Sequence, residues 1–91
     1  MTIRTLLLAD EIGLPTDTGT ATSFTSATVV RLVNTSTSAD HLVTLVETQG
    51  GSVIGTFTML RGTTEYLEKQ PSYCVFAADA SVKGAKVGFT G

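Results

Sequence analysis

The stretch HLVTLVETQGGSVIGTFTML, residues 41–60, decides the fold. Two runs rich in apolar and β-branched residues, His41–Thr48 and Val53–Leu60, flank Gln49–Ser52, whose two glycines supply the positive φ angles of a tight reversal. In the second run the side chains alternate between two faces, which is typical of a strand with one face toward a core. The stretch therefore predicts an antiparallel β-hairpin.

Working outward, the same pattern recurs on both sides of the hairpin at intervals of about ten residues. The further predicted strands are ATVVRLVN (27–34), TEYLEK (64–69) and VKGAKVGFT (82–90). The charges of the second of these runs indicate a solvent-facing or edge position. Residues 73–78 fit either a short strand or a single helical turn. With no amphipathic helix, the chain is predicted to be all-β, a small antiparallel β-sandwich or barrel of five to seven strands with an extended N-terminal segment.

The predicted β domain covers residues 27–91, and residues 1–26 form a separate N-terminal segment. Ile3–Ala9 fits two alternatives, an edge strand of the same sheet or an arm that lies on a neighbouring molecule. In the arm alternative, ten extended residues would span roughly 30 Å. Leu6, Leu7 and Leu8 are the candidate interface anchors. The tract that follows, Gly13–Ser26, consists mainly of Gly, Thr and Ser and offers little to bury, and a connection that long in a small domain is often functional.

The composition favours strands and argues against charged partners. The 91 residues include 17 Thr and 7 Ser, whereas only 15% are charged, against roughly 25% in ordinary domains. Six Lys and Arg residues are scattered along a chain of net charge −2, so no basic stripe is available for nucleic acid or an anionic membrane. The run Leu6–Ala9 is too short for a signal-peptide core or a membrane span, so we expect synthesis in the cytoplasm without secretion by the signal-peptide route.

No arrangement of reactive side chains is evident in the sequence. His41 is the single histidine and Cys74 the single cysteine, and we expect the cysteine to be a buried apolar residue of a strand. Glu65 and Glu68 point to opposite faces of a strand and cannot form a carboxylate pair. We therefore predict that the protein is not an enzyme, with no catalytic residue, no metal site and no cofactor.

Together, ATVVRLVN, the hairpin, TEYLEK followed by Pro71, and the ending VKGAKVGFTG resemble small β-rich virion proteins of tailed bacteriophages. The resemblance covers residues 24–91. It implies a capsid decoration or cement protein that stabilises the phage head, is located in the virion, and binds the major capsid protein or other virion proteins as a homo-oligomer. No functional residue can be assigned from the resemblance, because the family pattern contains no catalytic motif to match.

Two alternatives to a decoration protein remain open at this point. One is another virion component, such as a head-to-tail connector, a tail protein or a fibre-attachment protein. The other is a small glycan-binding β-sandwich that acts outside any particle, although the chain has no Trp and only two Tyr to stack against sugar rings.

Overall fold

The computed structural model describes residues 4–90, which form eight β-strands and a single 3-10 turn at Thr18–Thr20. The strands are β1 (Arg4–Leu7), β2 (Ile12–Gly13), β3 (Val29–Asn34), β4 (His41–Val46), β5 (Val53–Met59), β6 (Thr64–Glu68), β7 (Cys74–Ala77) and β8 (Val82–Thr90). The predicted all-β fold is confirmed. There are more strands than the five to seven expected, because the N-terminal segment contributes two short ones and residues 74–77 are a strand rather than a helical turn.

The larger sheet has the order β1-β8-β3-β6, and β2 pairs with β8 beside β1. All of its pairs are antiparallel, with Leu7 opposite Val87 and Arg31 between Ala85 and Tyr66. Residues 4–7, for which an external arm was the alternative, are paired within the domain along β8. Residues 1–3 of that segment lie outside the described residues.

The smaller sheet has the order β5-β4-β7, also antiparallel. A register shift between Leu45 and Val46 interrupts the β4–β5 ladder and places Val46 opposite Val53. Bulges of this kind increase the local twist of a strand. The central hairpin is therefore present as predicted. Of the two glycines expected to have a positive φ, Gly50 has one (71°), whereas Gly51 does not.

The core lies between the two sheets, which makes the fold a sandwich rather than a barrel. Both sheets contribute aliphatic side chains that are fully buried, and half-buried Leu45, Phe57 and Leu67 pack against them. The buried core residues are Leu14, Phe24, Ala27, Val30, Leu32, Val43, Met59, Val75, Ala77 and Val82.

The tract that precedes β3 was expected to bury little, and this expectation is wrong. Leu14 and Phe24 belong to the core, at 1% and 7% exposure. Phe24 occupies the space that a side chain at position 84 would need, because a Cβ added to Gly84 would lie 2.7 Å from the Cζ atom of Phe24. The apolar residues of the tract are few and far apart, so no periodicity in the sequence reveals their burial.

The same tract closes one lateral side of the sandwich. The amide of Ala77 donates to the carbonyl of Pro15 (3.0 Å), and Thr22 exchanges two backbone hydrogen bonds with Val75. The free edge of β7 is thereby satisfied. A second, smaller core forms on the outer face of this sheet from Ala21, Val46 and Cys74, with Phe76 packed against them.

Three consecutive residues of the tract form a left-handed turn. Phe24, Thr25 and Ser26 have φ angles of 55°, 57° and 58°, and the amide of Ala27 closes the turn on the carbonyl of Ser23 at 3.1 Å. This conformation costs about 1–2 kcal/mol for each residue with a side chain. The burial of Phe24 in the core contributes about 1.5–3 kcal/mol and offsets part of the cost of the three residues.

Candidate interaction surface

The residues with potential for chemistry do not converge. Among residues 4–90 there is no group of three or more His, Cys, Asp or Glu side chains that could hold a metal ion. His41 begins β4, whereas Cys74 lies beside Val46 at the opposite end of that strand. The Cys74 thiol is buried and donates to the carbonyl of Ser72 at 3.7 Å. No helix in this range is long and apolar enough to span a membrane.

The exposed apolar residues are instead concentrated at the lateral edges of the sandwich. On the N-terminal segment, Leu6, Leu7, Leu8 and Ile12 are 48%, 70%, 50% and 45% exposed, and these four residues are called the N-terminal apolar surface here. The three leucines proposed as interface anchors are thus placed together along β8. Ile12 was missed, because two acidic residues separate it from the leucines in the sequence.

The exposure of β1 follows from the unequal width of the two sheets. Successive strand residues point to opposite faces, yet all of Thr5–Leu8 are exposed, so neither face of β1 is covered by the smaller sheet. The backbone of the segment is nonetheless anchored, since the amide of Leu8 donates to the carbonyl of Lys86 at 3.0 Å. The surface is therefore presented in a defined conformation.

Polar side chains connect the N-terminal segment to the outer face of the larger sheet. The Thr5 and Tyr66 hydroxyls are 3.3 Å apart, although β1 and β6 are opposite edges of that sheet. Glu11 forms an ion pair with Arg31 at 3.5 Å. The hydrogen bond from Thr5, with a smaller contribution from Arg31, holds the pKa of Tyr66 below its ordinary value. The contact between Thr5 and Tyr66 thus reaches across β8 and β3, the two strands that separate β1 from β6.

The opposite lateral side carries a second group of exposed apolar residues. Val53 and Ile54 of β5 are 60% and 44% exposed, and Leu60, directly after the strand, is 57% exposed. The four-residue turn 60–63 leads from β5 into β6, so the outermost strands of both sheets lie side by side here. One feature of the sequence indicates this exposed apolar edge, namely that residues 48–60 include no charged residue.

A cleft of about 580 Å³ opens between the two sheets on this side. Its lining includes Leu45 and Ile54 from the smaller sheet, Glu68 from the larger sheet and Tyr73 from the residues just before β7. A second cleft, of about 570 Å³, is bordered by the hydroxyls of the 3-10 turn region and by Gln49 and Cys74, with no aromatic ring among its lining residues. The lining of the first cleft includes the titratable residues Glu68, Lys69 and Tyr73, whereas that of the second contains no His, Asp, Glu or Lys.

Lys69, beside the first cleft, is buried although its run of charges predicted a solvent-facing position. The residue is 6% exposed, and its Nζ atom donates to the carbonyl oxygens of Ala27, Gln70 and Pro71 at 2.7, 3.3 and 3.4 Å. An ammonium group has three donors, so each finds a partner. Burial lowers the pKa of Lys69 below the ordinary lysine value. The lysine joins the end of β6 to the start of β3 and offers no donor to a ligand.

Comparison of the chain with known protein families, with curated proteins and with solved structures gives no significant match.

Proposed function

We propose that this protein is a structural assembly module that attaches to other proteins through its N-terminal apolar surface. The observation that carries the proposal is the exposure of four large aliphatic residues, Leu6, Leu7, Leu8 and Ile12, on one backbone segment anchored at the sheet edge. Scattered exposed apolar residues are ordinary, whereas four at one sheet edge are typical of an interaction site. Leu6, Leu8 and Ile12 lie on the core-facing side of this edge, and Leu7 lies on its outer side.

The energy available from this surface suits a repeated contact. Complete burial of an aliphatic side chain contributes about 1.5–3 kcal/mol, so burying the exposed half of four such residues contributes about 3–6 kcal/mol. A single contact of this strength is weak after the cost of association is subtracted. Many copies on one large assembly would together add substantial stability to it.

The finer form of the proposal is a capsid decoration or cement protein of a tailed bacteriophage, which binds the major capsid protein. Its support is the resemblance of residues 24–91 to such proteins, together with a module that has exposed apolar residues at two opposite lateral edges and is therefore suited to contact two neighbours. A head-to-tail connector or tail component would use the same surface and differ in copy number.

The test uses empty heads produced from the genome that encodes the chain but lacking this protein. Purified chain is mixed with the heads, and the bound fraction is measured by co-sedimentation. The double variant Leu7→Ser and Leu8→Ser should weaken binding by at least about tenfold, because it removes apolar area from the contact. Leu42→Ser is the matched control, since Leu42 is 45% exposed on the smaller sheet and lies outside the N-terminal apolar surface.

Substitution is a cleaner test than deletion of residues 1–10, because deletion also exposes the edge of β8 that β1 covers. Unchanged binding of the double variant would refute the role of this surface. Copy number in the native particle separates the virion alternatives, since a decoration protein is present in hundreds of copies and a connector in about six or twelve. Absence of the chain from purified particles would reject a virion role.

A further inference from the structure

Strand β5 is the second exposed edge of the domain, on the lateral side opposite β1. It lacks the features that usually prevent an edge strand from pairing with another chain. β5 pairs with β4 on one side, and no strand among residues 4–90 pairs with its other side. Residues 48–60 contain neither a charged residue nor a proline, and Val53 and Ile54 are 60% and 44% exposed. An edge of this kind presents unpaired amide and carbonyl groups in an apolar, uncharged setting.

The neighbouring edge shows the protection that β5 lacks. β6 carries Glu65, which lies on the core-facing side of the strand and is exposed, and it ends with Glu68 shortly before Pro71. Charges that point inward, and proline next to an edge, are the usual means by which strands avoid pairing with other chains. The difference between two adjacent edges of one domain singles out β5 as a strand suited to pairing.

We propose that β5 pairs in antiparallel orientation with β5 of a second copy of this chain, forming a two-fold symmetric dimer with a continuous six-stranded sheet. Complete overlap of the seven residues Val53–Met59 requires the two-fold axis to pass beside Thr56. In this register Val53 faces Met59, and Ile54 faces Thr58 of the second copy.

In the same register, a large side chain of one copy faces a glycine of the other. Gly55 faces Phe57 of the second copy, and the contact occurs twice because of the symmetry. A Cβ added to Gly55 would meet no atom within 4 Å, so open space lies beside this glycine. A phenylalanine opposite a strand glycine covers its exposed backbone, which is a favourable cross-strand pair.

Because β5 contains no charged residue, a second copy of β5 is a suitable pairing partner for it. Symmetric pairing places identical strands against each other, so a strand with several like charges would oppose itself. β5 has none, whereas self-pairing of β6 would bring Glu65 and Glu68 close to their counterparts. The N-terminal apolar surface remains open in such a dimer, because it lies at the opposite edge of the larger sheet.

Sedimentation velocity over a range of protein concentrations tests the proposal on the purified chain. The unmodified protein should show a concentration-dependent monomer–dimer equilibrium. Thr56→Lys places two ammonium groups beside the two-fold axis and should raise the dimer dissociation constant by at least about fivefold. Thr64→Lys, an exposed threonine of β6, is the matched control and should leave the constant unchanged.

Two further experiments distinguish charge repulsion at position 56 from a folding defect of Thr56→Lys. An equimolar mixture of Thr56→Lys and Thr56→Glu should restore a dimer, now of two different chains. Thr56→Cys should form a reversible disulfide-linked dimer under mild oxidation, whereas Thr64→Cys should not. A monomer at every concentration, or a dimer that is unaffected at position 56, overturns the proposal without bearing on the N-terminal apolar surface.

Discussion

At the scale of single residues, Asn34 shows how one buried amide fixes several loops. The residue ends β3 with 0% exposure, and its Nδ2 atom donates to the carbonyl oxygens of Met59 (2.9 Å) and Ala39 (3.2 Å). Its Oδ1 atom accepts from the amide of Ser36 at 3.0 Å. Asn34-Thr35-Ser36 matches an N-glycosylation sequon, but a side chain engaged in this way is inaccessible to a glycosyltransferase.

Replacement of this amide should therefore be costly. Asn34→Ala removes a buried hydrogen bond to the carbonyl of Met59 and two partly buried ones, to the carbonyl of Ala39 and from the amide of Ser36, and we expect the free energy of unfolding to fall by about 2–4 kcal/mol. Urea denaturation measures the change. Gln70→Ala removes an exposed amide and is the control, with an expected change below about 0.5 kcal/mol. Equal denaturation midpoints for the two variants would contradict the role assigned to Asn34.

Lys69 should make stability depend on pH in the alkaline range. Its pKa in the folded protein is lower than the ordinary value of 10.5, so between these two values the unfolded chain binds more protons than the folded one. Stability should consequently rise as the pH increases from the lowered value toward 10.5. Tyr66, whose pKa is also lowered, contributes in the same direction and is present in every variant.

The contribution of Lys69 is isolated by comparing the unmodified protein with Lys69→Met in urea denaturation at a series of pH values. The stability of the unmodified protein relative to this variant should increase with pH over that window. Lys83→Met, which removes an exposed lysine, is the matched control. Parallel pH profiles for the unmodified protein and Lys69→Met would mean that burial does not perturb this ammonium group.

At the scale of elements, the left-handed turn at residues 24–26 stores strain that glycine would relieve. Thr25 is exposed and β-branched, and its φ of 57° disfavours every residue except glycine and a few short polar ones. Thr25→Gly removes a cost of about 1–2 kcal/mol but increases the entropy of the unfolded chain. We expect a net stabilisation of about 0.5–1 kcal/mol in thermal or urea unfolding.

The matched control for this substitution is Thr28→Gly. Thr28 is also exposed, but it does not belong to the described residues with positive φ. Glycine there brings only the entropic cost and should destabilise by about 0.5–1 kcal/mol. If both substitutions destabilise equally, the turn carries no relievable strain at position 25.

The strands were more predictable than the connections between them. Strand formation in 41–46 and 53–59 depends on side-chain alternation and on a glycine turn, which are local properties of the sequence. The tract before β3 lacks periodicity, yet it supplies core residues and covers the edge of β7, because its few apolar residues fill gaps left by strands distant in sequence. The residue pattern within one segment does not indicate where such gaps lie in the folded chain.

At the scale of the whole molecule, the sandwich has one lateral side where β7 is covered and one where the edges of β5 and β6 are open. Three adjacent leucines were sufficient to propose an anchor at Leu6–Leu8, but their exposure depends on how far the larger sheet extends past the smaller one. The edge position of β5 likewise depends on strand order. Both are properties of long-range pairing, which a single sequence does not specify.

The antiparallel pairing of β1 with β8 also determines when the domain is completed during synthesis. Residues 4–7 leave the ribosome before the other strands of the sandwich, whereas their partners, residues 87–90, leave it after all of them. Closing so long a loop is slow compared with forming the hairpin of β4 and β5, whose partners are neighbours in the chain. The leucine-rich segment therefore has no partner strand until β8 has also left the ribosome, and it stays accessible to chaperones throughout that interval.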